Sequence, residues 1–144
     1  PKHADVERYR GATILTPNRA EAVAAASGDR DPLPLEAAMR VLGDRLPGTA
    51  VVVTCGADGI AWTEPHQRTG DAPSTVHRSP SLARRVDDVT GAGDSVVCGL
   101  ALSLATGADL ATAIVVASAV AAAAVGLPGT ATPTWDDVVG SLDR

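Results

Sequence analysis

The chain has almost nothing large with which to fill a core. It contains no Phe, its aromatic residues are Tyr9, Trp62 and Trp135, and 27 of its 144 residues are Ala. Protein interiors are packed as densely as organic crystals. Without rings to fill gaps, the elements must approach one another closely through small side chains. The length suits one domain with a sizeable core. A composition of 45% apolar and 20% charged residues excludes a disordered acidic tail. A core this poor in large side chains also raises the expectation that a partner segment completes it.

Charge narrows the function classes. The formal net charge is −5, and Arg84-Arg85 is the only basic cluster, so nucleic acid is not an expected partner. Cys55 and Cys98 lie far apart without metal-ligand spacing and read as reduced thiols of a cytoplasmic protein. Residues 110–127 run for 18 positions without a charge, the crude length of a membrane span. Eight of the 18 are Ala, Thr112 and Ser118 lie among them, and no basic flank or aromatic belt brackets them. The expectation is a buried helix and no membrane partner. The opening residues Pro1-Lys2-His3-Ala4-Asp5 do not read as a signal peptide.

Apolar runs and helical periodicity alternate along the chain. Residues 12–15 read as a short buried strand, and Thr16-Pro17-Asn18 turns into a helix over 19–27 closed by Gly28. Residues 35–46 place Leu35, Ala38, Met39, Leu42 and Leu46 on one face of a second helix, stopped by Pro47-Gly48. Residues 50–54 read as a fully buried parallel strand. A turn bracketed by Gly56 and Gly59 leads to a strand over 60–63, and 74–78 and 83–86 read as further short strands. A glycine-bearing turn over 88–93 opens a helix to about Thr106; the Ala-rich helix follows, and a last helix starts near Thr134. Strands alternating with helices define an α/β layered fold.

The strongest chemical signal is Asp88-Val89-Thr90-Gly91-Ala92-Gly93-Asp94. Gly91 and Gly93 let the backbone bend tightly and approach a ligand. The amides of residues 91–94 would then face outward at a helix start, which is an anion site. Asp94 in the first turn is placed to accept a proton from an attacking hydroxyl. The alternative from spacing alone is an N-cap Asp after a glycine turn. The P-loop, dinucleotide, zinc-protease and nucleophile-elbow patterns are absent.

Two further blocks precede the heptapeptide: Asn18-Arg19-Ala20-Glu21 and Thr54-Cys55-Gly56-Ala57-Asp58-Gly59. In this order the three resemble the N-x-x-E, T-x-G-x-x-G and D-[TV]-[TV]-G-A-G-D motifs of the ribokinase-like (PfkB) carbohydrate kinases. Pro1-Lys2, residues 9–18 and residues 125–132 extend the likeness to the branch that phosphorylates the anomeric hydroxyl of a heptose 7-phosphate in ADP-heptose synthesis.

The resemblance implies a three-layer α/β/α ribokinase-like fold with a mostly parallel sheet flanked by helices. It implies that residues 1–144 are a single partial domain, the C-terminal nucleotide-binding and catalytic half of such a kinase. It implies ATP and Mg²⁺ as cofactors and a sugar or sugar phosphate as acceptor. Asp94 would be the catalytic base, with the amides of Gly91, Ala92, Gly93 and Asp94 as the anion hole. Thr54, Gly56 and Gly59 would line ATP, and Asn18 and Glu21 would organise magnesium through water. Asp88, Thr90 and Gly129 fall where relatives hold a monovalent cation, and Lys2 is a candidate for a sugar phosphate. Ser118 stands where many relatives have Asn near the base, so its contact to the nucleotide would differ. The family's sugar-binding and lid segments have no counterpart in the chain. Two alternatives follow: a non-catalytic nucleotide-binding or interaction module, and a chain that pairs with an N-terminal half or forms a homodimer.

Overall fold

The computed structural model describes residues 5–65, 75–83, 91–127 and 132–142. They belong to two compact units, Pro1–Cys55 with Ala61–Arg78, and Gly56–Ile60 with Ser79–Arg144.

The first unit is built on a four-stranded sheet in the order β1-β2-β3-β4, comprising β1 (Ile14–Leu15), β2 (Ala50–Thr54), β3 (Ile60–Thr63) and β4 (His77–Ser79). Ile60 and Ser79, at strand ends, are counted with the second unit. β1 and β2 are parallel, with Ile14 opposite Ala50 and Leu15 opposite Val51. A parallel pair needs a long crossover, supplied here by α1 (Arg19–Ser27) and α2 (Leu35–Arg45). α1 buries the small side chains Ala22, Ala25 and Ala26, and α2 brings Met39 and Leu42 into the same cluster. Large side chains thus come from one helix and small ones from the other. The Arg45 guanidinium ties the pair by donating to the Ala25 carbonyl at 2.9 Å. Val51, Val52 and Val53 are all fully buried, as a strand covered on both faces requires. Arg78 at β4 pairs with Glu36 in the first turn of α2. That hydrogen bond holds the Glu36 carboxyl below its usual range.

The second unit contains α3 (Ala92–Ala105), α4 (Leu110–Val125) and α5 (Trp135–Leu142). α3 and α4 pack through their small residues: a methyl group on Gly99 would lie 2.7 Å from the Ala117 Cα. This is the close approach that the aromatic-poor composition demands. Val138 of α5 packs with Ala119 and Ala123 of α4, and Leu82 joins them. Asp109 caps α4 by accepting from the Thr112 amide at 2.7 Å. α5 is fixed at its start by Thr134 and Asp137, whose side chains each accept from the other's amide.

The helix over 19–27 and the strands over 50–54 and 60–63 form with the expected bounds. Other expectations need correction. The strand expected over 12–15 contracts to Ile14–Leu15, because the Ala12 amide donates back to Tyr9 and closes a 3₁₀ turn. The Ala-rich helix, by contrast, ends as its sequence implies, at Val125 just before Gly126, whose amide closes the last turn on Ala122. Among the described residues no helix is long and apolar enough to cross a membrane. The strand expected over 74–78 forms at His77–Ser79, and Ala83 lies in no strand. Residues 84–86 lie outside the described residues.

Candidate active site

In the first unit, three of the expected site residues come together at the carboxyl end of the β1–β2 pair. The Thr54 amide donates to the Pro17 carbonyl at 3.1 Å. Asn18 and Thr54 form a parallel bridge. In open α/β sheets this end of the strands is where ligands bind. Asn18 is the N-cap of α1. Its Oδ1 accepts from the Glu21 amide at 2.8 Å, and Glu21 Oε2 accepts from the Asn18 amide at 3.0 Å. The N-x-x-E motif is therefore a capping box. The signal for that role, an Asn three residues before a Glu at a helix start, is present in the sequence, where it coincides with the family motif. A water-mediated magnesium contact, in which Mg²⁺ keeps much of its hydration shell, fits two oxygens already held by the cap. Among the described residues no group of three His, Cys, Asp or Glu side chains could hold a metal directly.

Gly56 and Gly59 belong to the second unit and have different surroundings. Both have positive φ, 59° and 84°. A Cβ at Gly56 would meet open space, whereas one at Gly59 would lie 2.1 Å from the Ser79 carbonyl oxygen. Gly56 is exposed and available to a ligand. Gly59 is buried, and its missing side chain makes room for the backbone of residues 79–81.

The heptapeptide's described part, residues 91–94, forms the start of α3. Gly91 is the N-cap in the left-handed region, φ 81° and ψ −3°, with no side-chain cap. The helical ladder begins with the Ser95 amide donating to the Gly91 carbonyl at 2.9 Å. The amides of Ala92, Gly93 and Asp94 therefore precede the ladder, the arrangement that makes a helix start attract anions. Added Cβ atoms at Gly91 and Gly93 would meet no atom within 4 Å. Asp94 is exposed and occupies the third helical position. The N-cap alternative for Asp94 is thereby corrected, because Gly91 holds that position.

Ser118 sits in the middle of α4, 6% exposed, and its hydroxyl is buried without a hydrogen-bond partner among the described residues. In this arrangement its Oγ does not reach the surface. Lys2, Asp88, Thr90 and Gly129 lie outside the described residues.

Comparison with known proteins identifies the family and the fold. The profile of the pfkB family carbohydrate kinases matches residues 2–137. The bifunctional protein HldE of Geobacter metallireducens is 43% identical over 147 residues, covering 99% of this chain and 28% of that protein. The crystal structure of Thermotoga maritima ribokinase superposes with a TM-score of 0.80 at 23% identity, covering 99% of this chain and 45% of that one. Escherichia coli phosphofructokinase-2 in complex with potassium superposes with a TM-score of 0.77 at 22% identity, over 98% of this chain and 44% of that one. The fold is thus the ribokinase-like α/β fold. The chain belongs to the pfkB family of carbohydrate kinases, and it spans under a third of the length of the curated relative and under half of the solved ones.

Proposed function

We propose that this chain carries the nucleotide-binding and catalytic part of an ATP-dependent sugar kinase whose acceptor is a heptose 7-phosphate, phosphorylated at its anomeric hydroxyl. In this reading residues 1–144 are part of one kinase domain. The observation that carries it is the start of α3, where a left-handed Gly91 leaves the amides of residues 92–94 ahead of the ladder beside an exposed Asp94. The acceptor hydroxyl attacks the γ-phosphorus in line as the bond to the β–γ bridging oxygen breaks and ADP leaves, and Asp94 takes the hydroxyl's proton. The amides of residues 91–94 hold the equatorial oxygens as charge spreads over them, so the work is positioning and electrostatics. Thr54 and Gly56 flank the nucleotide, and Gly59 shapes their turn by letting residues 79–81 pass. Magnesium bound with ATP supplies positive charge against the phosphates. Asn18 and Glu21 would orient its waters from the end of the β1–β2 pair. A monovalent cation near Asp88, Thr90 and Gly129 is supported by the potassium complex of the E. coli relative. Two free thiols, Cys55 and Cys98, suit a reducing, cytoplasmic location.

The test is Asp94→Asn in a complete kinase domain containing this chain. Loss of a general base lowers turnover by about 10²–10⁴-fold, with ATP binding retained. Unchanged turnover rejects Asp94 as the base, and a sugar-phosphate panel tests the acceptor. The second reading is a nucleotide-binding or interaction module without catalysis. Calorimetric titration with ATP, with and without sugar phosphate, separates the two: binding without transfer supports the module.

A further inference from the structure

The three motif blocks assigned to the nucleotide and its chemistry are poor in positive charge. Residues 18–21, 54–59 and 88–94 contain Glu21, Asp58, Asp88 and Asp94 but a single cation, Arg19. A nucleoside triphosphate brings several negative charges of its own, and like charges repel. Magnesium offsets part of that charge. A fixed cation at the phosphates offsets more.

Arg19 stands where such a cation belongs. It is exposed and is the first residue of α1, directly after the N-cap Asn18. Asn18 bridges Thr54 in parallel. Arg19 therefore follows immediately on the carboxyl end of the β1–β2 pair, the end at which open α/β sheets bind ligands. The helix itself does not call for a cation here. A first turn favours carboxylates, and a positive charge at that end opposes the helix dipole. The capping box is complete with the side chains and amides of Asn18 and Glu21.

We propose that Arg19 is a phosphate-binding residue, its guanidinium donating to the triphosphate of the nucleotide on the side where Asn18 and Glu21 orient magnesium's waters; the proposal rests on the kinase reading above. A guanidinium is always charged, and its planar fork matches two phosphate oxygens at once. Arg19 thus reads the charge-rich end of the nucleotide rather than its base.

The experiment is calorimetric titration of a complete kinase domain containing this chain with magnesium–ATP, with AMP and with heptose 7-phosphate. Arg19→Gln should weaken ATP binding by about tenfold or more, as for a lost charge-assisted hydrogen bond, and AMP binding by less than about twofold. Arg19→Lys keeps the charge without the fork and should recover part of the loss. ATP affinity should also fall less steeply with salt in Arg19→Gln than in the wild type. Arg19 takes part in an interaction within the folded chain, so urea unfolding is followed beside binding. Stability should be retained, because exposed charge pairs contribute little. Unchanged ATP affinity overturns the proposal. An equal loss for ATP and AMP also overturns it, as the mark of a structural role. A loss confined to the sugar phosphate overturns it in favour of an acceptor contact. A wild-type domain that binds no ATP overturns the kinase reading itself, whereas ATP binding indifferent to Arg19 overturns this assignment alone.

Discussion

Asn18 and Glu21 hold each other across the first turn of α1, each side chain accepting from the other's amide at 2.8 and 3.0 Å. The two residues assigned to magnesium are thus also the ones that start the helix. Substitution here should have two separable effects. Asn18→Ala removes the cap and should lower stability by about 1 kcal/mol in urea unfolding. Asn18→Asp keeps an acceptor at the cap and should hold stability near wild type. If the pair also orients metal-bound water, Asn18→Ala should raise the magnesium concentration needed for transfer by about tenfold or more. A stability loss with an unchanged magnesium requirement would confine the pair to the helix.

Gly91 and Gly93 differ in what they require. Gly91 is left-handed and has space for a Cβ, so Gly91→Ala meets backbone strain alone, about 1–2 kcal/mol. Gly93 is helical with open space, so Gly93→Ala should improve helix propensity, by up to about 1 kcal/mol. The new methyl would stand among the amides that precede the ladder. Gly93→Ala is therefore expected to raise the melting temperature while weakening ATP binding and transfer. A variant both more stable and fully active would show that ligand does not approach this turn closely.

Much of this architecture could be read from local signals. α1 and β2 have the bounds expected from Asn18, Gly28 and the Ala50-Val51-Val52-Val53-Thr54 run, because caps and continuous burial are properties of neighbouring residues. The start of α3 was legible to within two residues: Gly91 bends the chain as expected, but Gly93, expected in the turn, is the second helical residue. What stayed hidden depends on residues distant in sequence. Gly59 is required by the backbone of residues 79–81, which no local pattern announces. The burial of the Ser118 hydroxyl follows from how α4 is covered. The capping box was readable but masked by its overlap with a family motif.

Gly59 and Gly56 provide a paired test. Gly56→Ala meets only the strain of a positive φ, about 1–2 kcal/mol. Gly59→Ala adds a Cβ 2.1 Å from the Ser79 carbonyl oxygen, which displaces backbone rather than a flexible side chain. Overpacking costs about 1–3 kcal/mol and strain about 1–2 more, so the loss should be about 3 kcal/mol or greater. Chemical denaturation of both variants checks the order.

Acid should loosen the starts of α4 and α5 first. Accepting from Thr112 lowers the Asp109 carboxyl below its usual range, and accepting from Thr134 does the same for Asp137. A carboxylate whose folded value is lowered contributes stability that is whole above the unfolded value, about 3.9 for Asp. The contribution is lost as pH falls through the lower folded value. Helical circular dichroism should therefore decline below about pH 4. Asn caps as well as Asp but does not titrate, so Asp109→Asn should move the onset to lower pH. An onset unmoved by that change would place the acid sensitivity elsewhere.

The close approach of Gly99 to Ala117 tests the packing that the composition requires. Two effects oppose each other at Gly99→Ala. Replacing a helical glycine favours the helix by about 1 kcal/mol. The added methyl, however, lies 2.7 Å from the Ala117 Cα and 3.2 Å from its Cβ. The nearest obstacle is backbone, so relief requires α3 and α4 to separate. That separation opens gaps which this core, without Phe and with Ala along α4, has no large side chain to fill. Overpacking of about 1–3 kcal/mol should exceed the propensity gain, leaving a net loss of about 1 kcal/mol. Ala117→Gly should restore the double variant only in part, since it removes the opposing methyl and leaves the backbone of α4 where it was. A stabilised Gly99→Ala would mean that the helices yield without cost and that close approach is not what holds α3 on α4.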